Sequence, residues 1–219
     1  MNNLYIALLF SAMITACSGP ADKPAEPIRS FPADEAVEED TVTTIKFEGF
    51  TLQIRPFIVW DDENMLDKIQ TDSVVLWGAV GQILGDAAVR VIGTGQIEDL
   101  KIEQRYETTL SMTTEESGCF LYDWKHYYSP WKSLPRLENG LFQCIGYSTA
   151  EQQKFPAVST AELKAAVKKY CEKEWWDQVV DPHTYPCSVG ISTYYLRVSG
   201  KTGGKPFVKY IEIDSPLNC

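Results

Sequence analysis

Histidine is almost missing from this chain. Only His126 and His183 occur in 219 residues, which excludes a histidine-rich zinc or iron centre. No two of the six cysteines have C-x-x-C spacing, so neither a dithiol redox motif nor a zinc knuckle is indicated. Basic residues are in deficit, 20 Lys and Arg against 30 Asp and Glu, for a formal net charge of −10. Binding to nucleic acid needs clustered positive charge to neutralise phosphates, and this balance argues against it. No apolar run approaches the ~20 residues of a membrane-spanning helix, and no segment repeats another. What remains is ordinary for a globular protein: 44% apolar residues and enough length to bury a sizeable core in one domain.

The charge is unevenly spread. Residues 1–17 carry no charged side chain, and an apolar run from Leu4 to Met13 closes on Ile14-Thr15-Ala16-Cys17. That tetrad, behind its apolar segment, resembles the lipobox of bacterial lipoproteins, although the segment before the run has no Lys or Arg. The resemblance implies a signal peptide over 1–16 and lipidation of Cys17. The small residue Ser18 after the cysteine implies sorting to the outer membrane, facing the periplasm. Between Ser18 and Thr41, seven acidic residues oppose Lys23 and Arg29, among Pro20, Pro24, Pro27 and Pro32. Such a segment cannot bury enough apolar surface to fold, so 17–41 reads as a lipidated cysteine and an extended tether, and 42–219 as a single globular domain.

Five further cysteines, Cys119, Cys144, Cys171, Cys187 and Cys219, fit an oxidising compartment with two disulfides and one free thiol. Sequence alone does not fix their pairing. Cys171–Cys187 and Cys119–Cys144 are the local options, with the terminal Cys219 left over.

Beyond the tether, Val42 to Trp60 alternates apolar and polar residues, as a strand with one buried face does. Gly49 permits a turn and Pro56 a break. Met65, Leu66 and Ile69 suit a short helix, and Ser73 to Gly95 suits short strands between glycines. From Leu100 to Met112, Leu100, Ile102, Tyr106, Leu110 and Met112 share one face, while Lys101, Glu103, Arg105, Glu107 and Thr109 share the other. Cys119 to Tyr128 reads as its hairpin partner, with Phe120, Tyr122, Trp124, His126 and Tyr128 packed inward. Leu141 to Tyr147 suits another short strand. Ser159-Thr160-Ala161-Glu162 is a capping box opening an amphipathic helix over about 159–177. Strands near Val189–Ser199 and Phe207–Asp214 flank a flexible loop at 200–205. The fold class expected is α+β: a β-dominated antiparallel sheet or sandwich with one main amphipathic helix.

Four constellations bear on chemistry. Gly146-Tyr147-Ser148-Thr149-Ala150 approximates a nucleophile elbow, with Asp181 and His183 downstream, yet no βαβ alternation exists to build the sheet such a triad requires. Asp61, Asp62, Glu63, Asn64 and Asp67 offer hard oxygen ligands without the spacing of a calcium loop, so no metal is assigned. No carboxylate pair stands out as a glycosidase acid and nucleophile. The stretch Tyr122 to Lys132 is rich in rings, and aromatic anchors dominate protein interfaces. Tyr127 and Trp131 are the rings expected at its surface. Trp175 and Trp176, being adjacent, cannot both face the core. These four residues are the candidate partner-binding set. The expectation is a non-enzymatic envelope lipoprotein that needs no cofactor and binds a protein partner, most concretely an immunity or inhibitor protein against an envelope-targeting toxin or hydrolase. The alternatives are an assembly lipoprotein of an envelope or secretion complex and, behind that, an envelope hydrolase or glycan-binding lipoprotein.

Overall fold

Alternating apolar positions build two sheets that bury their inner faces against each other. The computed structural model describes residues 42–59, 65–79, 82–114 and 117–215. The expected signal peptide, Cys17, the tether, the acidic run at 61–64 and Cys219 lie outside them.

The five-stranded sheet holds β1 (Thr43–Phe47), β2 (Phe50–Arg55), β3 (Met65–Ile69), β5 (Ala88–Gly93) and β10 (Phe142–Gln143), in the order β10-β5-β2-β1-β3. Met65–Ile69 pairs in parallel with β1, so the short helix expected there is a strand. The β1–β2 turn uses Gly49 at φ 87°, a left-handed conformation that favours glycine. The seven-stranded sheet has the path β4 (Ser73–Trp77), β12 (Lys205–Asp214), β11 (Cys187–Thr202), β6 (Ile97–Thr113), β7 (Gly118–Phe120), with β8 (Tyr127–Tyr128) and β9 (Lys132–Ser133) also on β6. β11 and β12 are longer than the sequence suggested. Their link is a tight turn at Gly203-Gly204, both at positive φ, rather than a flexible loop.

β6 serves two large cores and a small cluster of Tyr106, Tyr147 and Ile191 with one face. Its Ile102 joins Ile45, Phe50, Leu52 and Ile54 from the other sheet, with Leu196, Val198, Ile211 and Ile213 alongside, in the sandwich core. Its Leu110 and Met112 join Leu163, Ala166 and Val167 of α2 (Thr160–Tyr170), together with Leu121, Trp175 and Val179. Between the two cores the same face turns polar to pin the segment around α1 (Thr149–Gln152). Gln104 exchanges two 3.0 Å hydrogen bonds with the backbone of Ile145. Tyr106 and Thr108 donate to the carbonyls of Glu151 and Lys154.

The Ser159–Glu162 capping box opens α2, but the helix is shorter than its apolar spacing suggests. Cys171 is already extended, and Lys173–Trp175 forms a separate 3-10 turn. The helix ends at a covalent tie. Cys171 is bonded to Cys119 at a Cα–Cα distance of 5.8 Å, tying the helix end to the β6–β7 hairpin. Both local pairings considered from sequence are therefore overturned, and Cys144 and Cys187 are buried free thiols.

The long hairpin expected across 100–128 is corrected as well. β7 pairs with only Ser111–Thr113 of β6. The chain then loops out four residues, and Tyr127–Tyr128 rejoins β6 opposite Glu107 and Thr108. The loop exposes Tyr122 and Tyr128, 51% and 50% accessible, and buries Leu121 instead.

The bridge closes a loop with 52 residues of sequence separation, and a crosslink of this span stabilises by about 2–4 kcal/mol. Peptide mapping of the non-reduced protein is expected to recover Cys119 joined to Cys171, with Cys144 and Cys187 alkylated only after denaturation. Trp175 is 2% exposed, so Trp175→Ala is expected to cost ~3–5 kcal/mol in a urea melt.

Candidate functional site

The outer face of the seven-stranded sheet carries side chains from alternate positions of four adjacent strands, and strand register sets them in rows. Trp77, Asp214, Thr193 and Glu107 form one row; Val75, Glu212, Tyr195 and Arg105 the next; Ser73, Tyr210, Arg197 and Glu103 the third. The segment after β7 folds over the β6 end of these rows. The β4–β12 end stays open: Trp77 is 59% accessible, and Val75, Val208 and Tyr210 are also exposed.

The covered end is an electrostatic lattice. The Trp131 ring meets the guanidinium groups of both Arg105 (4.7 Å) and Arg197 (4.5 Å). Arg105 also sits over Tyr128 at 5.1 Å and Tyr195 at 4.8 Å. Arg197 reaches Glu103 through two nitrogens, at 2.8 and 2.6 Å, and Lys101 meets the same carboxylate at 2.7 Å. Rings and carboxylates together hold the guanidinium groups at low solvent exposure. The row of polar residues on β6 therefore does not face water, as its alternation suggested: Glu103 and Glu107 are 7% and 5% exposed.

Glu107 is the hub. It accepts hydrogen bonds from the His126 Nδ1–H and from the Tyr195 hydroxyl, the latter at 2.5 Å. Burial pushes the Glu107 carboxyl up, but the His126 and Tyr195 bonds outweigh it and leave the carboxyl below its ordinary value. The bond to Glu107 raises His126 in turn, against burial. On its other side, His126 Nε2 lies 3.5 Å from the Thr109 hydroxyl. Hydroxyl, imidazole and carboxylate stand in the order of a nucleophile triad. Thr109 is fully buried, however, and donates to the Leu121 carbonyl at 3.1 Å. No substrate carbonyl reaches that oxygen, so the group clamps the loop to β6.

Next to the clamp opens a cavity of about 580 Å³. Glu107, Glu212 and Asp214 line it, with Trp77, Tyr122, Tyr128 and Tyr195 as aromatic walls. Burial, then the neighbouring Asp214 and Glu107 charges, raises the Glu212 carboxyl. Asp214 is raised by burial and by Glu107 despite a 3.1 Å hydrogen bond from Thr193.

The sequence-derived candidates divide. Trp131 lies on this face, half-buried against Arg105 and Arg197. Tyr127 turns inward against Tyr106, with centroids 6.0 Å apart; its neighbour Tyr128 is the surface ring. Trp175 is core. Trp176 is half-buried, donates to the Cys171 carbonyl at 3.2 Å and has Lys168 over its ring. The cavity carboxylates, Trp77 and Tyr195 were missed. They come from strands far apart in sequence, and only their alternation within β4, β11 and β12 hinted at a shared face. The hydrolase constellation is not assembled. The Ser148 hydroxyl caps α1 with Glu151, and Asp181 accepts from its own turn at His183 N–H and Thr184. Among the described residues no group of three metal-ligating side chains converges.

The clamp sets a pH dependence. With His126 raised, its contribution to stability is complete below about pH 6.5, where the unfolded imidazole is also protonated, and fades as pH rises through the folded value. With Glu107 lowered, the carboxylate's contribution is lost as pH falls below about 4.3 through its folded value. Replacing His126 with Asn is expected to cost ~1–3 kcal/mol near pH 6. In urea melts the gap to the unmodified protein should narrow as pH rises; a gap independent of pH would remove the charged pair from the account.

No protein-family model matches the chain, and no match was found among the curated proteins or the solved structures.

Proposed function

We propose that this chain is a lipid-anchored envelope protein that binds a basic protein partner on the outer face of its seven-stranded sheet. Its most concrete form is an immunity or inhibitor protein acting in the periplasm against an envelope-targeting toxin or hydrolase. The observation that carries the reading is the uncovered face itself. Val75, Trp77, Tyr122, Tyr128, Val208 and Tyr210 are all large, exposed and on that face. Contiguous exposed apolar and aromatic surface of this kind marks interaction sites. Two further facts support it. The net charge of −10 favours fast capture of a basic partner, and the lipobox-like Ile14-Thr15-Ala16-Cys17 fits attachment at the membrane where envelope enzymes act. A Thr109 hydroxyl sealed behind Leu121 leaves the imidazole in the clamp without a nucleophile to activate.

Capture from envelope extract by the full chain tests the reading. A basic protein in stoichiometric amount is expected, retained at low salt and lost with Trp77→Ala or Tyr210→Ala. Each substitution is expected to cost ~1–3 kcal/mol of binding if the ring is an interface anchor, and neither should alter the melting temperature, because both rings are exposed. Recovery of a set of secretion or assembly components instead would favour the assembly lipoprotein. Capture unchanged in both variants would reject this face.

A further inference from the structure

We infer that the aromatic-walled cavity bounded by Glu107, Glu212 and Asp214 receives one arginine or lysine side chain of the bound partner. The inference rests on the proposed protein-binding role and names the chemistry at its centre.

Three observations converge. First, the cavity has the shape of the chemistry. An alkyl stem ending in a cation packs along rings and delivers its charge to carboxylates. Trp77, Tyr122 and Tyr128 supply half-exposed ring surface at the mouth, while Glu212 and Asp214 project from alternate positions of β12.

Second, the charges inside are unbalanced. Glu103 has Arg197 and Lys101, and Glu107 has His126. Lys209, on the opposite face of β12, has Asp72. Among the described residues no Lys, Arg or His comes within ion-pair distance of Glu212 or Asp214. Arg105, two strands away in the same row as Glu212, is held by the Tyr128, Tyr195 and Trp131 rings. Both unpaired carboxyls are raised by burial and by neighbouring negative charge, as expected where the counter-charge arrives with the ligand.

Third, the protein already uses this chemistry beside the cavity. Arg105 and Arg197 lie on rings of the same face at 4.5–5.1 Å, and Arg197 closes onto a carboxylate. The cavity sets the same residue types, rings beside carboxylates, around a space open to solvent. A neutral sugar would stack on the same rings but leave two mutually repelling carboxylates uncompensated, so the cationic side chain is the better fit.

The test titrates the purified full chain, in detergent, with N-acetyl-argininamide and N-acetyl-lysinamide, read by tryptophan fluorescence. The uncharged arginine isostere N-acetyl-citrullinamide and chitotriose serve as comparators. Saturable binding of the cationic probes is expected, in roughly the millimolar range that a single side chain supports. Glu212→Gln with Asp214→Asn should weaken it by about tenfold or more, one lost ion pair being worth that factor. Glu138→Gln, an exposed change on another loop, should leave it unchanged. The double variant should melt no lower than the unmodified protein, since it removes two uncompensated charges, and this separates lost binding from lost folding. Equal binding of citrullinamide, tighter binding of chitotriose, or undiminished binding by the double variant overturns the proposal. Repeating the envelope capture with the double variant separates the two readings. A partner held equally well rejects the cavity while leaving the sheet face as the interface. Probe binding without any captured protein rejects a partner's side chain as the occupant.

Discussion

The pairing of β6 with β11 is the constraint on which everything else depends. It runs antiparallel from Cys187 opposite Met112 to Thr202 opposite Ile97, with register shifts at Ile191/Thr193 and Ser199/Lys201. Because side chains alternate across a strand, this one ladder aims two surfaces. Its inner side feeds the sandwich core at one end and the α2 core at the other, with a polar girdle of Gln104, Tyr106 and Thr108 between them. Its outer side sets the charged rows against the aromatic loop. A slip of one residue would exchange the two sides, placing Glu103 and Glu107 in apolar cores and Leu110 and Met112 in water. The register is thus enforced from both faces at once.

The electrostatics of the outer face follow a gradient. At the β9 side, arginines, rings and carboxylates are matched and solvent is largely excluded. In the middle, Glu107 is satisfied by His126 and Tyr195, and the clamp orders the loop that carries Tyr122 and Tyr128. At the β12 side, carboxylates remain without cations and the rings stand open. The matched end fixes geometry at about 0.5–2 kcal/mol per cation–ring contact, while Glu212 and Asp214 at the unmatched end have no cation within ion-pair distance among the described residues. Under the proposed binding role, fold stability and recognition would draw on the same residue types, separated by one or two strands.

Much of this was legible in the sequence because it is local. The alternation from Leu100 to Met112 gave both faces of β6 correctly, the Ser159 box marked the start of α2, and the last two strands followed from their patterns. What escaped was non-local. Cys119 and Cys171 meet because the β6–β7 hairpin packs on the helix, a contact that spacing cannot encode, and α2 ends at the bonded Cys171 before its apolar stripe runs out. Tyr127 and Tyr128 exchanged roles because the register sets even-numbered residues of this segment opposite the odd, outer positions of β6, Phe120 opposite Ser111 and Tyr128 opposite Glu107, and the four residues that loop out between them keep that parity. The polar face of β6 looked solvated because its cover comes from the next segment. The cavity was invisible for a similar reason: β4, β11 and β12 each contribute one or two of its residues, and none is unusual alone.

β1 enters the fold in the interior of the five-stranded sheet, flanked by β2 and β3, whereas the proposed binding face belongs to the other sheet. Mechanically, under the proposed anchoring and binding, the chain would be held at one layer and loaded at the other. A pull along β1 shears two ladders of hydrogen bonds together instead of unzipping an edge. Force applied at the outer face must also cross the interdigitated side chains between the layers, Ile45 and Leu52 against Leu196 and Ile211. Resistance to such load is a matter of unfolding rate rather than of equilibrium. The sandwich core is thus the coupling through which any tension between an N-terminal attachment and a captured molecule would have to pass.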